Sequence, residues 1–128
     1  MKYCINLNYN KISFDFDGTL DDNFDGSNNP QKEEIQSICK SLVESGKDVC
    51  IITKRYISEG EKVFNLANQL GVKNVHFTSR ELKHAKICEL GIDVHFENSQ
   101  YEGEIIKQKN PNILLVHIED KYWRDLVY

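Results

Sequence analysis

Residues 12–20 read Ile-Ser-Phe-Asp-Phe-Asp-Gly-Thr-Leu, an apolar stretch that ends in two aspartates, Asp15 and Asp17. Successive side chains of an extended strand point to opposite faces, so these two carboxylates are predicted to lie on the same side. Buried carboxylates repel each other unless a cation or a shared proton relieves the repulsion. The pair therefore predicts a divalent metal, and Mg²⁺ is favoured because it prefers oxygen ligands. Gly18 lets the backbone bend sharply after the pair.

Length and composition limit the possible classes of protein. The 128 residues and 40% hydrophobic content suit one domain, residues 1–128, with a modest core. The net charge of -4 gives no broad positive field, so nucleic-acid binding is disfavoured. The cysteines lack CxxC spacing, and Cys39, Cys50 and Cys88 are predicted to be reduced core thiols. No apolar run is long enough for a membrane span and no signal peptide is visible, so we expect a cytoplasmic protein without a membrane partner.

Helix signals recur along the chain at regular intervals. Asn29 is a predicted cap for a first helix whose apolar stripe ends near Gly46. Capping boxes are predicted at Ser58 with Glu61 and at Thr78 with Glu81, with Phe64 facing inward on the second helix. A fourth helix is expected over residues 100–108, and a short helix in the tail.

Short apolar runs between these helices predict strands. A hairpin is expected first, in which residues 3–7 fold back on a strand from Lys11 to Asp17. Buried strands are then expected at 49–52, 75–77, 92–96 and 113–118. Alternating strands and helices predict an α/β, three-layer Rossmann-like domain with a mainly parallel sheet. Its ligand is expected at the carboxyl ends of the strands.

The run from Asp15 to Leu20, Asp-Phe-Asp-Gly-Thr-Leu, resembles motif I of the haloacid dehalogenase (HAD) superfamily of phosphatases and phosphotransferases. The resemblance implies a HAD-like fold in which Asp15 is the nucleophile that forms an aspartyl-phosphate. It implies that Asp17 is the general acid and then the base. It also implies that Mg²⁺ binds the Asp15 side chain and the Asp17 backbone carbonyl. The short segment from motif I to the first helix leaves no room for a cap domain, and neither does the segment from Thr53 to Lys83, so an open, capless site is expected.

Two further motifs follow in the family's order. Thr53 ends the strand that follows the Asp-x-Asp strand and one helix. It resembles motif II of the family, whose hydroxyl binds the transferring phosphoryl group. Lys83 is the candidate for the motif III lysine that neutralises charge between nucleophile and phosphoryl group. It precedes Glu97 by a spacing familiar in compact HAD proteins, and Lys86 is the alternative.

Motif IV departs from the family pattern, because Glu97-Asn98 stands where two aspartates are usual. The family carries either Asp-Asp or Gly-Asp-x-x-x-Asp here. Aligning Asn98 and Glu102 with the two aspartates of the second pattern preserves their spacing and makes Asn98 a metal ligand, whereas the Asp-Asp alignment makes Glu97 the ligand. An amide oxygen binds Mg²⁺ more weakly than a carboxylate does. The choice between Asn98 and Glu97 stays open.

Residues around these motifs are candidates for substrate binding. Lys54 and Arg55 follow Thr53 and are candidates to hold a second anionic group of the substrate, with a merely solvated charged pair as the alternative. Gly18 is a candidate for substrate binding beside the phosphoryl group. Asp22 is an acidic loop residue for which function and solvation are equally good explanations.

The motifs together predict a Mg²⁺-dependent phosphomonoester hydrolase that acts through an aspartyl-phosphate. The alternatives are a weak or inactive HAD-like module that binds a phosphorylated ligand or protein partner, and a phosphotransferase. The substrate is expected to be a phosphorylated small molecule or macromolecule. The sequence leaves the oligomeric state open, with a homo-oligomer among the alternatives.

Overall fold

The computed structural model describes residues 4–128, in which five strands alternate with four α-helices. The strands are β1 (Lys11–Phe14), β2 (Asp48–Thr53), β3 (Asn74–Phe77), β4 (Val94–Glu97) and β5 (Leu114–His117). The helices are α1 (Lys32–Glu44), α2 (Glu61–Leu70), α3 (His84–Leu90) and α4 (Gln100–Lys109). Two 3₁₀ turns cover Ile57–Glu59 and Trp123–Leu126. None of the described helices combines the length and apolar character that crossing a membrane requires.

The strands form one sheet in the order β3-β2-β1-β4-β5, and every neighbouring pair is parallel. The predicted α/β class with a Rossmann-like sheet flanked by helices is confirmed. The strand order reverses beside β1, whose neighbours β2 and β4 are reached by chain segments that run in opposite directions across the sheet. Ligands of such sheets bind at the carboxyl strand ends near this reversal.

Two apolar clusters cover the faces of the sheet. The larger contains Ile12, Phe14 and Phe96 together with residues of α1 and α2, and the Phe14 and Phe96 rings stack with centroids 4.3 Å apart. The smaller joins Cys50 and Ile52 to residues of α3 and α4. Burying each large apolar side chain contributes about 1.5–3 kcal/mol, so both clusters hold the strand ends in place.

The predicted amino-terminal hairpin is wrong for the residues that the structure describes; residue 3 lies outside them. Residues 4–10 form no strand, and the backbone N–H of Asn6 instead donates to the carbonyl of Val127 at 2.6 Å. Strand β1 is paired with β2 on one side and β4 on the other. Because both edges of β1 are occupied, no edge is left for a hairpin partner.

Several helix starts also differ from the predictions. Helix α1 begins after Gln31, and Asn29 instead accepts a hydrogen bond from the Gln31 backbone N–H at 3.1 Å. Ser58 lies inside a 3₁₀ turn that precedes α2, so its predicted capping box is wrong. Thr78 donates its hydroxyl to the carbonyl of Glu81, and α3 begins only after Lys83. Asn29 and Thr78 therefore make hydrogen bonds in the turns before the helices and do not cap the first helical turns.

Two predicted core residues are exposed. Phe64 is 47% exposed, because α2 buries Val63 and Ala67 while the Phe64 ring only packs beside Phe77 at its margin. Cys88 is exposed on α3, whereas Cys39 and Cys50 are buried as predicted. Burial raises the pKa of both buried thiols to about 12, so they are un-ionised core residues.

Candidate active site

Asp15 follows β1 directly and is buried at the carboxyl edge of the sheet. Its backbone N–H donates to the carbonyl of Phe96 at 2.9 Å, which holds it beside β4. Its Oδ1 lies 3.1 Å from Lys83 Nζ, and its Oδ2 accepts a hydrogen bond from Thr19 Oγ1 at 3.2 Å. Both carboxylate oxygens are therefore oriented by partners from other parts of the chain.

Lys83 lies at the residue before α3 and reaches two carboxylates with one ammonium group. Its Nζ is 2.9 Å from Glu97 Oε1, and its backbone N–H donates to Glu102 Oε1 at 3.2 Å. Lys86, the alternative candidate, points away and pairs with Glu89 on the surface of α3. The structure thus brings Lys83, and not Lys86, to Asp15.

A buried series of polar contacts extends from Glu97 along β4 to the neighbouring strand β1. His95 Nε2 lies 2.9 Å from Glu97 Oε1, and His95 Nδ1 lies 2.6 Å from Ser13 Oγ. Ser13 and His95 are register partners in β1 and β4. Burial lowers the pKa of His95, so the neutral tautomer that donates from Nε2 to Glu97 and accepts from Ser13 satisfies both partners. This series of contacts fixes Glu97, which in turn fixes Lys83.

The charges of this group are unequally distributed. Burial and the nearby Glu97 carboxylate raise the pKa of Asp15 from 3.8 to about 8 in the metal-free protein. Burial acts to raise the pKa of Glu97, but the hydrogen bond from His95 and the charge of Lys83 lower it to about 2. Burial acts to lower the pKa of Lys83, but Asp15 and Glu97 outweigh it and raise this pKa above its ordinary value. The Lys83 ammonium group is thus shared by the carboxylates of Asp15 and Glu97, and its single positive charge does not fully compensate the negative charge of Asp15.

Asp17 lies beyond the end of β1, which stops at Phe14, so the predicted strand is too long at this end. Arg55 binds both carboxylate oxygens of Asp17, with Nε at 2.9 Å from Oδ2 and Nη2 at 2.8 Å from Oδ1. Asp17 contributes least among the effects on the pKa of Asp15, and the main repulsion comes from Glu97. The electrostatic conflict predicted between Asp15 and Asp17 therefore lies mainly between Asp15 and Glu97.

Thr53 is the last residue of β2 and Lys54 follows it, at the same edge of the sheet as Asp15. Thr53 is buried, and its hydroxyl accepts a hydrogen bond from the backbone N–H of Arg55 at 3.2 Å. Lys54 Nζ lies 3.2 Å from Glu102 Oε2, as an ion pair rather than an aligned hydrogen bond. Among the described residues, Thr53 makes no side-chain hydrogen bond to Asp15; it lies at the end of the adjacent strand.

Gly18 and Asn98 meet on the side of Asp15 away from Lys83. Gly18 has φ +76°, and a Cβ there would lie 2.3 Å from Asn98 Nδ2, so the site has no space for a side chain at this position. Thr19 Oγ1 lies 3.2 Å from Asp15 Oδ2 and 3.4 Å from Asn98 Oδ1. The carboxylate of Asp15 and the amide of Asn98 therefore converge on one hydroxyl.

The oxygen atoms at this point fit Mg²⁺, which prefers oxygen ligands. Asp15 and Asn98 supply side-chain oxygens, and none of residues 4–128 donates a hydrogen bond to the backbone carbonyl of Asp17. Glu97 is less suited, because Lys83, His95 and the N–H of Ser99 already occupy its two oxygens. The described residues contain no group of three or more His, Cys, Asp or Glu side chains that could hold a metal. A bound Mg²⁺ would therefore depend on the Asn98 amide and a backbone carbonyl.

Several contributors were missed or misjudged from the sequence. Ser13 and His95 are polar residues in strands that are buried on both faces, and this mismatch was the available signal. Arg55 was considered as a ligand for substrate, whereas the structure pairs it with Asp17. Asp22 accepts from the backbone of Asn29 and pairs with Lys32, which orders the loop before α1.

Comparison with known proteins gives no assignment for this site. No protein-family model matches the chain, and no curated protein or solved structure matches it either. The contacts of Asp15, Asp17 and Lys83 are therefore the basis for a functional proposal.

Proposed function

We propose that this protein is a Mg²⁺-dependent, HAD-like phosphomonoester hydrolase with Asp15 as its nucleophile. The observation that carries the proposal is the buried contact between Asp15 Oδ1 and Lys83 Nζ at 3.1 Å. It lies at the carboxyl strand ends where sheets of this type bind ligands. The contact supports the proposal because it joins a buried carboxylate to a buried ammonium group, the two groups that the motif order implies for the nucleophile and for the cation beside the phosphoryl group.

Each residue has a defined part in the proposed reaction. An Asp15 oxygen forms a bond to phosphorus while the bond from phosphorus to the leaving oxygen breaks, and Asp17 donates a proton to that oxygen. Water then attacks phosphorus, Asp17 takes its proton, and the bond between Asp15 and phosphorus breaks to release phosphate. Lys83 stabilises the negative charge on the phosphoryl oxygens throughout.

Thr53 is the proposed hydrogen-bond donor to the phosphoryl group, and Gly18 allows that group to approach the backbone. Asp15, Asn98 and the Asp17 carbonyl are the proposed Mg²⁺ ligands, for which Glu97 is the alternative. When bound, Mg²⁺ would supply the positive charge that Asp15 lacks beside Glu97. Lys54, which follows β2 at the same edge of the sheet, is a further cation for an anionic substrate group, although its Nζ lies 3.2 Å from Glu102 Oε2.

The decisive test is Asp15→Asn, assayed with a generic aryl phosphate with and without Mg²⁺. We expect loss of at least about 10³-fold in kcat, because the amide cannot form the covalent intermediate. Acid quenching and mass spectrometry of the wild-type protein are expected to find phosphate on Asp15. Undiminished Mg²⁺-dependent turnover by the variant would remove Asp15 from the proposed role.

A second candidate is a HAD-like module that binds a phosphorylated ligand with little or no turnover. The bidentate contact between Arg55 and Asp17 favours it, because Arg55 must release an oxygen before Asp17 can donate a proton to a leaving group. Arg55→Lys, which removes the two-pronged contact but keeps the charge, separates the candidates. A hydrolase is expected to change its kcat and pH profile, whereas a binding module remains inactive and changes only its affinity for phosphate.

A further inference from the structure

Guanidinium groups and aromatic rings form a continuous surface beside Asp17. This surface, which we call the mouth cluster, consists of Phe24, Arg55, Tyr56 and Arg80. Its members come from three loops at the carboxyl edge of the sheet, which follow β1, β2 and β3. Apart from Arg55, none of them takes part in the proposed phosphoryl chemistry.

Each guanidinium group of the mouth cluster lies over at least one aromatic ring of the cluster. The guanidinium carbon of Arg55 lies 4.9 Å from the centre of the Phe24 ring, and Arg55 also binds Asp17. The guanidinium carbon of Arg80 lies 5.3 Å from the Phe24 ring centre and 5.0 Å from that of Tyr56. Phe24 is 57% and Tyr56 46% exposed, so much of each residue remains open to a ligand.

The backbone at Arg80 is strained in a way that holds this arrangement. Ser79 has φ +52° and Arg80 φ +70°, a conformation that costs a residue with a Cβ roughly 1–2 kcal/mol. The N–H of Arg80 donates to the carbonyl of Lys54 at 2.7 Å, and its Nη2 pairs with Glu59 Oε2 at 2.8 Å. Strain of this kind is retained mainly where it positions a side chain for function. Here it directs Arg80 over the rings of the cluster.

Aromatic faces and guanidinium planes are the groups on which nucleobases stack. Arg55 contacts both the Phe24 ring and the Asp17 carboxylate, and Asp17 comes two residues after Asp15, so the mouth cluster adjoins the loop that carries Asp15. A nucleoside monophosphate carries its base and its phosphate on separate positions of one sugar, so it presents a stacking group and a phosphate to these two neighbouring parts of the same edge. An aryl phosphate carries its ring directly on the phosphate, without a sugar between the two groups. The net charge of -4 disfavours a long polyanion.

We infer that the ligand is a nucleoside monophosphate whose base stacks on the mouth cluster while its phosphate faces Asp15. The inference rests on the proposed function for the position of the phosphate. It adds the class of leaving group, and it makes Phe24 and Arg80 determinants of specificity. They contact the base and have no part in the bond-breaking steps.

The test is calorimetric binding to the Asp15→Asn protein with Mg²⁺ present. Adenosine, guanosine, cytidine and uridine 5'-monophosphates are compared with ribose 5-phosphate, which keeps the sugar and phosphate but lacks the base. We expect at least one nucleotide to bind about tenfold or more tightly than ribose 5-phosphate. Equal affinities, or no binding of any nucleotide, overturn the inference.

Substitutions in the same Asp15→Asn background show whether the mouth cluster causes the preference. Phe24→Ala and Arg80→Gln are each expected to remove most of it. Tyr9→Ala is the matched control, because Tyr9 is a 45% exposed ring that precedes β1 at the opposite end of the sheet. Equal loss in the control, or full retention in both cluster variants, overturns the inference. If one cluster variant does not fold, the other decides.

Two further ligands distinguish the alternatives. The first is a 5'-phosphorylated oligonucleotide, and the second is phenyl phosphate. If the oligonucleotide binds more tightly than every mononucleotide, the mononucleotide assignment is overturned and the end of a nucleic-acid strand is indicated. If phenyl phosphate does so, an aryl ester is indicated instead. Because these experiments measure binding, their outcome is separable from turnover. Asp15-dependent hydrolysis of an aryl phosphate without any base preference would retain the proposed function and remove the nucleotide.

Discussion

At Lys83, one buried ammonium group serves two buried carboxylates, those of Asp15 and Glu97, at 3.1 and 2.9 Å. A buried ion pair adds little net stability when complete, but removing one member leaves the others unpaired and is strongly destabilising. His95 also donates a hydrogen bond to Glu97. Of the two carboxylates, Glu97 is therefore the one that keeps its negative charge more firmly. Asp15 is therefore the carboxylate that a further cation would stabilise.

Lys83→Met is expected to reduce stability by about 3–5 kcal/mol, because two carboxylates lose their buried counter-charge. Under the proposed function it also abolishes turnover. Urea unfolding and an aryl phosphate assay measure the two effects. Lys86→Met is the control, since Lys86 pairs with the exposed Glu89 on the same helix, and it is expected to cost no more than about 1 kcal/mol. Equal costs for the two variants would contradict the assigned contacts.

Asn98→Asp is expected to tighten Mg²⁺ binding by about tenfold or more, because a full negative charge replaces an amide dipole beside Asp15. Isothermal titration with Mg²⁺ measures the change. Asn112→Asp makes the same change of charge at an exposed position before β5, and it should leave the affinity unaltered. An unchanged affinity in Asn98→Asp would favour Glu97 as the ligand, or no metal at this position.

At the scale of elements, the start of α1 is held by the carboxyl-terminal segment. Gln31 precedes α1 without capping it; its side chain donates to the carbonyl of Ile118 at 2.8 Å and accepts from the indole N–H of buried Trp123 at 2.8 Å. Arg124 binds the Glu34 carboxylate, and the Tyr128 hydroxyl donates to it at 2.9 Å. These contacts tie the helix that follows the Asp15 loop to the far end of the chain.

Glu34→Gln is expected to destabilise the protein by about 1 kcal/mol at neutral pH, a small value because Arg124 is half exposed. The hydrogen bond from Arg124 lowers the pKa of Glu34 below its ordinary 4.5. Its stabilising contribution is therefore present above pH 4.5 and is lost as the pH falls below that value. The gap between wild type and variant in urea unfolding should close in acid. Glu33→Gln removes a neighbouring exposed charge and should show no such closing gap.

At the scale of the whole molecule, the site adds a pH dependence to the stability of the metal-free fold. The pKa of Asp15 is raised from 3.8 to about 8, so between these values the folded protein retains a proton that the unfolded chain has lost. Stability from this group therefore falls as the pH rises through that range, with a slope of at most about 1.4 kcal/mol per pH unit. Glu97 acts in the opposite direction below pH 4.5, where its contribution is lost as the pH falls towards about 2.

Asp15→Asn is accordingly expected to be more stable than the wild type near neutral pH in the presence of EDTA, with a difference that grows as the pH rises from 3.8 towards 8. Urea unfolding across this range measures it. Added Mg²⁺ should stabilise the wild type and not the variant, because ligand binding to the folded state alone raises stability. Parallel pH curves for the two proteins would show that burial and Glu97 do not control Asp15.

The sequence by itself determined the order of the elements, the parallel Rossmann-like sheet and the position of Asp15 at a strand end. These features depend on local hydrophobic periodicity and on short connections, and both can be recognised in the amino-acid sequence. The hairpin prediction was wrong because both edges of β1 are filled by strands that follow far later in the chain. The predicted helix starts were wrong at Ser58, which lies in a 3₁₀ turn, and at Thr78, whose hydroxyl makes a hydrogen bond in the turn before α3.

Only the tertiary structure decided which charges meet. The motif order favoured Lys83 over Lys86, but only the structure shows that Lys83 reaches Asp15. Spacing gave no sign that Arg55 binds Asp17 or that the Phe24 and Arg80 side chains adjoin. The reason is physical: a pairwise electrostatic contact depends on distance and burial, and both arise only when loops from separate strand ends are brought to the same edge of the sheet.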